Sequence, residues 1–340
     1  MAENRSVGYF FIVAAAVIIV LAGIKTASSI IVPLLLSVFI AIILSPLFEW
    51  LKSKHLPDAL ALTLVITFFI GLVSLVAMLV GNSAQDFSDN LPLYTQQLEA
   101  RFSGIVTNLA SWGIGLPEGG LKQLFDPNVA VGYAAGMLKG MGSALTNSFV
   151  ILLMVIFMLS ESRDFVQKIV RMDGEAIGQF EEVADKIKHY MVLKAVISLG
   201  TGVTVSVMLM VIGVDYAFLW GVVAFLFNFI PNIGSIIAAV PVVLLAFIQL
   251  DAISAGIVAI GFLVINTLFG SVIEPKVMGK GLGISTLIVF LSLIFWGWLL
   301  GPVGMLLSIP LTIMAKIALD ARPNTRWVAM LLGAAEEEKA

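Results

Sequence analysis

The sequence has 340 residues, 60% hydrophobic and 12% charged, with a formal net charge of −3. Soluble domains carry about 25% charged and 45–50% apolar residues, so the apolar excess excludes an ordinary soluble core and points to an outer surface facing hydrocarbon. The slight negative balance offers nucleic acid no basic face, and the absence of cysteine excludes disulfides, thiolate metal sites and a cysteine nucleophile.

Residues 6–24 are uncharged, Lys25 interrupts, and residues 26–48 are uncharged again. Each run is close to the roughly 20 residues that cross about 30 Å of hydrocarbon. The first run is long, has only Arg5 before it, and is followed at once by a second span, so it reads as an anchor and not as a signal peptide. A polar turn with Glu49, Lys52, Lys54, His55 and Asp58 leads to a third span at 59–81, completing an N-terminal three-span bundle over 1–81.

Residues 82–140 are more polar and read as an amphipathic segment outside the cytoplasm. Within them Leu98, Phe102, Ile105, Leu109 and Trp112 fall at helical spacing. Gly113, Gly115, Pro117, Gly119 and Gly120 end that stripe. Asp126-Pro127 has the form of an N-cap followed by proline at the first helical position, leading into a fourth span at 141–160. Residues 161–194 hold six Lys/Arg and seven Asp/Glu, with Ile177, Phe180, Val183, Ile187, Tyr190 and Met191 recurring helically. They read as an amphipathic cytoplasmic connector lying on the membrane or on a sister subunit.

From 195 the chain is apolar again. A fifth span at 195–214 precedes two short runs, 216–230 and 233–249, joined at Pro231-Asn232. A full span at 252–273 ends at Glu274-Pro275, and two more short runs, 284–300 and 302–318, meet at Gly301-Pro302 before a polar tail at 319–340. Asp215 and Asp251 read as marking outer membrane edges. The whole is an all-α polytopic membrane protein of about eight membrane segments.

Lys and Arg in short loops set orientation. Arg5, Lys52, Lys54, the six basic residues of 161–194, Lys276, Lys280, Lys316, Arg322 and Arg326 fall on one side, against Lys25, Arg101, Lys122 and Lys139 on the other. Both termini and the connector are therefore expected in the cytoplasm.

The region 195–318 repeats a pattern of one full span followed by a broken pair. IPNIGSIIAAVP (230–241) resembles LGPVGMLLSIP (300–310), each closed by a proline, Pro241 and Pro310. Entering the membrane from opposite sides, the two units form an inverted repeat, a common architecture of secondary transporters, and 195–318 is read as the transport core. Backbone broken by Pro and Gly at membrane depth survives only inside protein or beside a watery cavity. The candidate substrate path therefore includes Pro231, Gly234, Gly301, Pro302 and Gly304, with surface turns as the competing reading.

Asn228, Asn232, Ser235 and Asn266 are polar groups in apolar surroundings and join the candidate path, helix–helix hydrogen bonding being the alternative. Glu274 is the candidate coupling group, unless it sits at the cytoplasmic interface paired with Lys276 or Lys280. Gly200, Thr201, Gly202, Gly256 and Gly261 suit close helix packing. GKGLGIST (279–286) is not a phosphate loop, because its lysine comes too early, so transport runs on an ion gradient or the solute's own. His55 and His189 lie beside lysines in no metal-binding spacing and read as interfacial; no metal, cofactor or catalytic constellation is expected.

The stretches FNFIPNIGSIIAAVP (227–241), VIEPKVMGKGLGIS (272–285) and FWGWLLGPVGMLLSIPL (295–311) resemble signatures of the AI-2E family, the autoinducer-2 exporter-like membrane proteins, and VPLLLSVFIAIILSPL (32–47) extends the likeness. The resemblance implies a cytoplasmic-membrane protein of about eight spans, assembled as a homo-oligomer, a pentamer. It implies a small polar solute, autoinducer-2, as cargo for some members and sodium(lithium)/proton antiport for others. It carries functional interest to Pro231, Asn232, Ile233 and Gly234 and to Glu274 and Pro275.

The first reading is therefore secondary export of a small polar signalling metabolite, autoinducer-2, through a site near 228–235 and 301–310. The 98–112 stripe and the 161–191 connector would serve as assembly surfaces. The alternative is a sodium(lithium)/proton antiporter in which Glu274 titrates. A membrane scaffold is a third reading; an intramembrane enzyme lacks the His/Ser or paired-Asp groups it would need.

Overall fold

In the computed structural model, residues 2–111, 132, 136, 148–170, 174–231, 233–278, 284–321, 323 and 325–333 are described, and the regular structure among them is helical throughout. The N-terminal helices are α1 (Ala2–Thr26), α2 (Ser28–Ser53), α3 (Asp58–Asp89) and α4 (Leu91–Ser111). After them come α5 (Ser148–Val170) and α6 (Gly174–Ile212). A short pair follows, α7 (Ala217–Phe227) and α8 (Gly234–Gln249). Next is α9 (Ala252–Asn266), which runs through a π-helical stretch, Thr267–Ile273, into α10 (Glu274–Met278). The last helices are α11 (Thr286–Leu300), α12 (Pro302–Leu306), α13 (Ser308–Asp320) and α14 (Arg326–Leu332).

Among the described residues, four helical stretches are long and apolar enough to cross a membrane: Ser28–Ser53, Asp58–Asp89, Asp185–Ile212 and Ala252–Val277. Their surfaces carry large apolar side chains such as Leu64, Phe68, Val211 and Leu263 in the open, as lipid-facing helices do. The expected connector at 161–194 begins as the end of α5, and from 174 it runs without a break into the expected fifth span as one helix, α6, because no proline or capping signal interrupts 174–212. At 39 residues it is about 58 Å long. The expected stop at Glu274-Pro275 does not occur either. The helix passes through it, the Glu274 N–H reaching back five residues to the Phe269 carbonyl. The start of the expected fourth span and the Asp126-Pro127 cap lie outside the described residues.

The chain forms two compact units, each assembled from separate stretches of sequence. The first holds residues 1–62, 149–192 and 280–340. In it the Ser37 hydroxyl donates to the Ile151 carbonyl at 3.2 Å and joins α2 to α5. Lys188 pairs with Glu49 at 2.7 Å, and Ile187, Tyr190 and Met191 of the connector face are buried. Lys25 lies over the Trp298 ring at 4.3 Å, and the Trp296 indole N–H donates to Thr312 Oγ1 at 2.9 Å.

The second unit holds residues 63–148 and 193–279. Trp220, Leu209, Leu219 and Val258 fill its core, joined by Tyr94 and Leu98 of α4. Leu98 of the predicted stripe is thus spent inside its own unit, and the side chains of Phe102, Ile105, Leu109 and Trp112 lie outside the described residues. Helices α6 and α7 approach so closely that a Cβ on Gly202 would sit 2.7 Å from the Gly221 carbonyl oxygen. Without a hydrophobic force between helices in lipid, such small-residue contacts carry association.

One end of this unit is polar. Tyr216, left-handed at φ 59°, receives hydrogen bonds from Asn90 and Tyr94 at 3.2 and 3.4 Å. Burial holds the Tyr94 phenol above its ordinary pKa. Gln249 donates to Asp215 and to Tyr94, and Arg101 donates to the Leu250 carbonyl. Asp251 caps α9 by accepting the Ser254 N–H at 2.6 Å, and that bond holds its carboxyl below the ordinary value. A depressed carboxylate stabilises the fold above its unfolded pKa, and that contribution is lost as pH falls through the folded one. Asp251→Ala is therefore expected to lower the thermal midpoint at neutral pH, and by less at pH below the normal Asp range, in unfolding scans of detergent-purified protein.

Candidate functional site

Helix α7 stops at Asn228 because Pro231 has no N–H to donate and disfavours helical backbone at the residue before it. The chain closes the break with short bonds, Phe229 N–H to the Leu226 carbonyl at 3.3 Å and Ile230 N–H to the Phe227 carbonyl at 2.9 Å. Gly234 then restarts the helix as α8. A Cβ there would lie 1.8 Å from the Phe227 carbonyl oxygen, so only glycine fits against the end of α7.

Beside this break lies a cavity of about 100 Å³. The tip contributes Asn228, Ile230, Pro231 and Ser235; α6 contributes Lys194. The opposite wall comes from Asn266 and from Gly270, Ser271 and Glu274 along the π-helical stretch and just past it. A narrower recess lined by Thr201, Val205 and Phe262 shares Asn228, Ser235 and Asn266 with it.

The wall is polar for identifiable reasons. Pro275 cannot donate a helical hydrogen bond, so the carbonyl one turn before it, on Gly270 or Ser271, loses its normal partner at the cavity wall. A π-helical turn in an α-helix marks functional sites often. The Asn228 amide donates to the Ser198 hydroxyl at 2.9 Å, which leaves its carbonyl oxygen and a second N–H in hand.

Lys194 Nζ donates to both carboxylate oxygens of Glu274, each at 2.8 Å. The two side chains are 4% and 20% exposed, so this is a desolvated pair. Of the two lysines expected beside Glu274, Lys276 is exposed and makes no ion pair with it among the described residues, and Lys280 lies outside the described residues. Lys194 reaches Glu274 because α6 packs along α9 and the π-helical stretch, where Gly261 meets the Met208 side chain and the Gly200 backbone meets the Phe269 ring.

Asn228, Pro231, Ser235, Asn266 and Glu274 of the predicted set therefore meet around one cavity, with Gly234 shaping the tip. Asn232 lies outside the described residues. Gly301, Pro302 and Gly304 belong to the other compact unit. There Gly301 turns at φ 71°, Pro302 begins α12, and a Cβ on Gly304 would lie 2.0 Å from the Trp296 carbonyl oxygen. Both broken pairs thus carry a glycine pressed onto the carbonyl end of the preceding helix.

Lys194, Ser198, Gly270 and Ser271 were not foreseen. A signal for two of them exists: Lys194, Ser198 and Thr201 fall at i, i+4 and i+7 of one helix, a polar face entering an apolar run. Among the described residues no three His, Cys, Asp or Glu side chains cluster to hold a metal ion. What the cavity offers is hydrogen-bond donors and acceptors around a neutralised ion pair.

The model of the AI-2E family transporter matches residues 10–324. A Haemophilus influenzae protein provisionally named a transport protein is 41% identical over 335 residues, 96% of each chain. The AI-2 transport protein TqsA of Escherichia coli is 39% identical over 324 residues, 94% of each chain. YhhT of Escherichia coli, also provisionally named a transport protein, is 35% identical over 323 residues, 94% of this chain and 92% of its own.

Proposed function

The chain belongs to the AI-2E family of membrane transporters, and from that premise we propose that it is a secondary transporter exporting a small polar signalling metabolite, autoinducer-2, across the cytoplasmic membrane. The observation that carries the reading is the polar cavity at the α7–α8 break, set in a unit with an apolar core. Membrane helices keep polar side chains and loose carbonyls only where protein or water meets them. Asn228, Ser235 and Asn266 supply hydrogen-bond partners of both kinds for an uncharged, oxygen-rich solute. The two broken pairs, 216–249 and 284–318, act as an inverted repeat that opens the route alternately to the two sides. The excess of Lys and Arg in the loops puts both termini in the cytoplasm. The protein works as a homo-oligomer, a pentamer.

The test is flux of labelled autoinducer-2 in proteoliposomes, with and without an imposed proton gradient. Wild type is expected to move the label, and Asn228→Leu to slow it about 5- to 10-fold, the worth of one hydrogen bond. Flux equal to that of empty vesicles overturns the reading.

A carboxylate on the cavity wall favours a second reading, sodium(lithium)/proton antiport with Glu274 titrating. It requires sodium or lithium uptake driven by a pH gradient and abolished by Glu274→Gln.

A further inference from the structure

Among the described residues the cavity wall carries one cation and one anion, and they are bonded to each other. Lys194 Nζ lies 2.8 Å from both oxygens of Glu274, the position a monovalent cation would take on a carboxylate at this depth. Lys276, two residues further on, is exposed and does not line the cavity. Among the described residues the formal charge of the lining is therefore zero. We propose that Lys194 is the specificity-determining residue of this site: a tethered ammonium that occupies the cation position of Glu274 and reserves the cavity for uncharged, hydrogen-bonding solutes.

The inference rests on reading this cavity as the transport site. Its chemistry follows from competition. A free sodium or lithium ion entering the cavity must shed its own water and displace an ammonium that is covalently tethered, already desolvated and already placed on both carboxylate oxygens. An anion finds the ammonium already neutralised. An uncharged solute displaces nothing; it bonds to Asn228, Ser235, Asn266 and the carbonyl that Pro275 leaves without its helical donor. Removing the Lys194 charge leaves a buried carboxylate with amide, hydroxyl and carbonyl oxygens around it, a donor set suited to a hard monovalent cation.

The deciding measurement is thermal unfolding of the purified full-length protein in sodium, lithium or choline chloride at equal ionic strength. A ligand that binds the folded state raises the midpoint, so a shift reports binding without any need for transport. Wild type is expected to unfold at the same temperature in all three salts. Lys194→Met is expected to be stabilised by sodium or lithium over choline, its cation affinity rising about tenfold or more as the competing charge is lost. Lys194→Met/Glu274→Gln is expected to lose that response. Lys194→Arg keeps the charge and should behave as wild type. The proposal is overturned if wild type shows a sodium or lithium shift that Glu274→Gln removes, a result that needs no Lys194 variant to fold. It is equally overturned if folded Lys194→Met shows no shift. Absence of autoinducer-2 flux would remove the export reading and leave these binding outcomes intact.

Discussion

Glu274→Ala is expected to destabilise the protein by about 3–5 kcal/mol, the usual consequence of removing one partner from a buried ion pair. Lys194 is 4% exposed and gives both of its hydrogen bonds to Glu274, so the variant leaves an ammonium inside the helix bundle with no counter-charge. Lys194→Met should cost a similar amount by leaving the carboxylate unpaired. The double variant Lys194→Met/Glu274→Leu should lie within about 1–2 kcal/mol of wild type, because an apolar pair of similar volume often matches or exceeds a buried salt bridge. A double-mutant cycle of unfolding free energies in detergent measures the coupling directly. Additive single effects would mean that the pair is solvated and that the cavity has no neutralised lining. The same cycle in transport assays separates stability from function. The double variant is expected to be well folded while its transport is altered, since the ion pair is gone from the cavity although Asn228, Ser235 and Asn266 remain.

Gly234→Ala and Gly304→Ala are expected to cost about 3 kcal/mol or more each, or to prevent folding. The added methyl carbon would sit 1.8 Å from the Phe227 carbonyl oxygen in one case and 2.0 Å from that of Trp296 in the other. Both obstacles are backbone atoms at helix ends and cannot swing aside as a side chain can. The only relief is to spread each helical pair, which for Gly234 also pulls Asn228 and Ser235 apart at the cavity. Gly256→Ala is the control: its Cβ meets nothing within 4 Å, so it should be neutral or stabilising by about 0.5–1 kcal/mol. Folded yield and thermal midpoint in detergent check all three. Wild-type stability in Gly234→Ala would contradict the tight tip on which the cavity depends.

The order of amino acids alone puts the protein in a membrane, since uncharged runs of about 20 residues match the thickness of a hydrocarbon layer and exceed what a soluble core needs. It also locates the places where that pattern fails. Asn228, Ser235, Asn266 and Glu274 stand out because a polar side chain at membrane depth is costly and is kept for a reason. Pro231 and Pro275 stand out because neither has a backbone donor to give a helix. These are local signals, legible from neighbours along the chain.

Which of those groups meet was settled by tertiary packing. Glu274 pairs with Lys194, 80 residues earlier, a partner that proximity in sequence did not suggest. The amide of Asn228 settles on Ser198, and Gly301, Pro302 and Gly304 fall in a different compact unit from Asn228. Partners across a bundle are chosen by where helices cross and how each is rotated about its axis. Close glycine approaches and a seven-residue π stretch set that rotation here. A π turn breaks the regular helical period, so no count of threes and fours along the sequence could have aimed Glu274 at its partner.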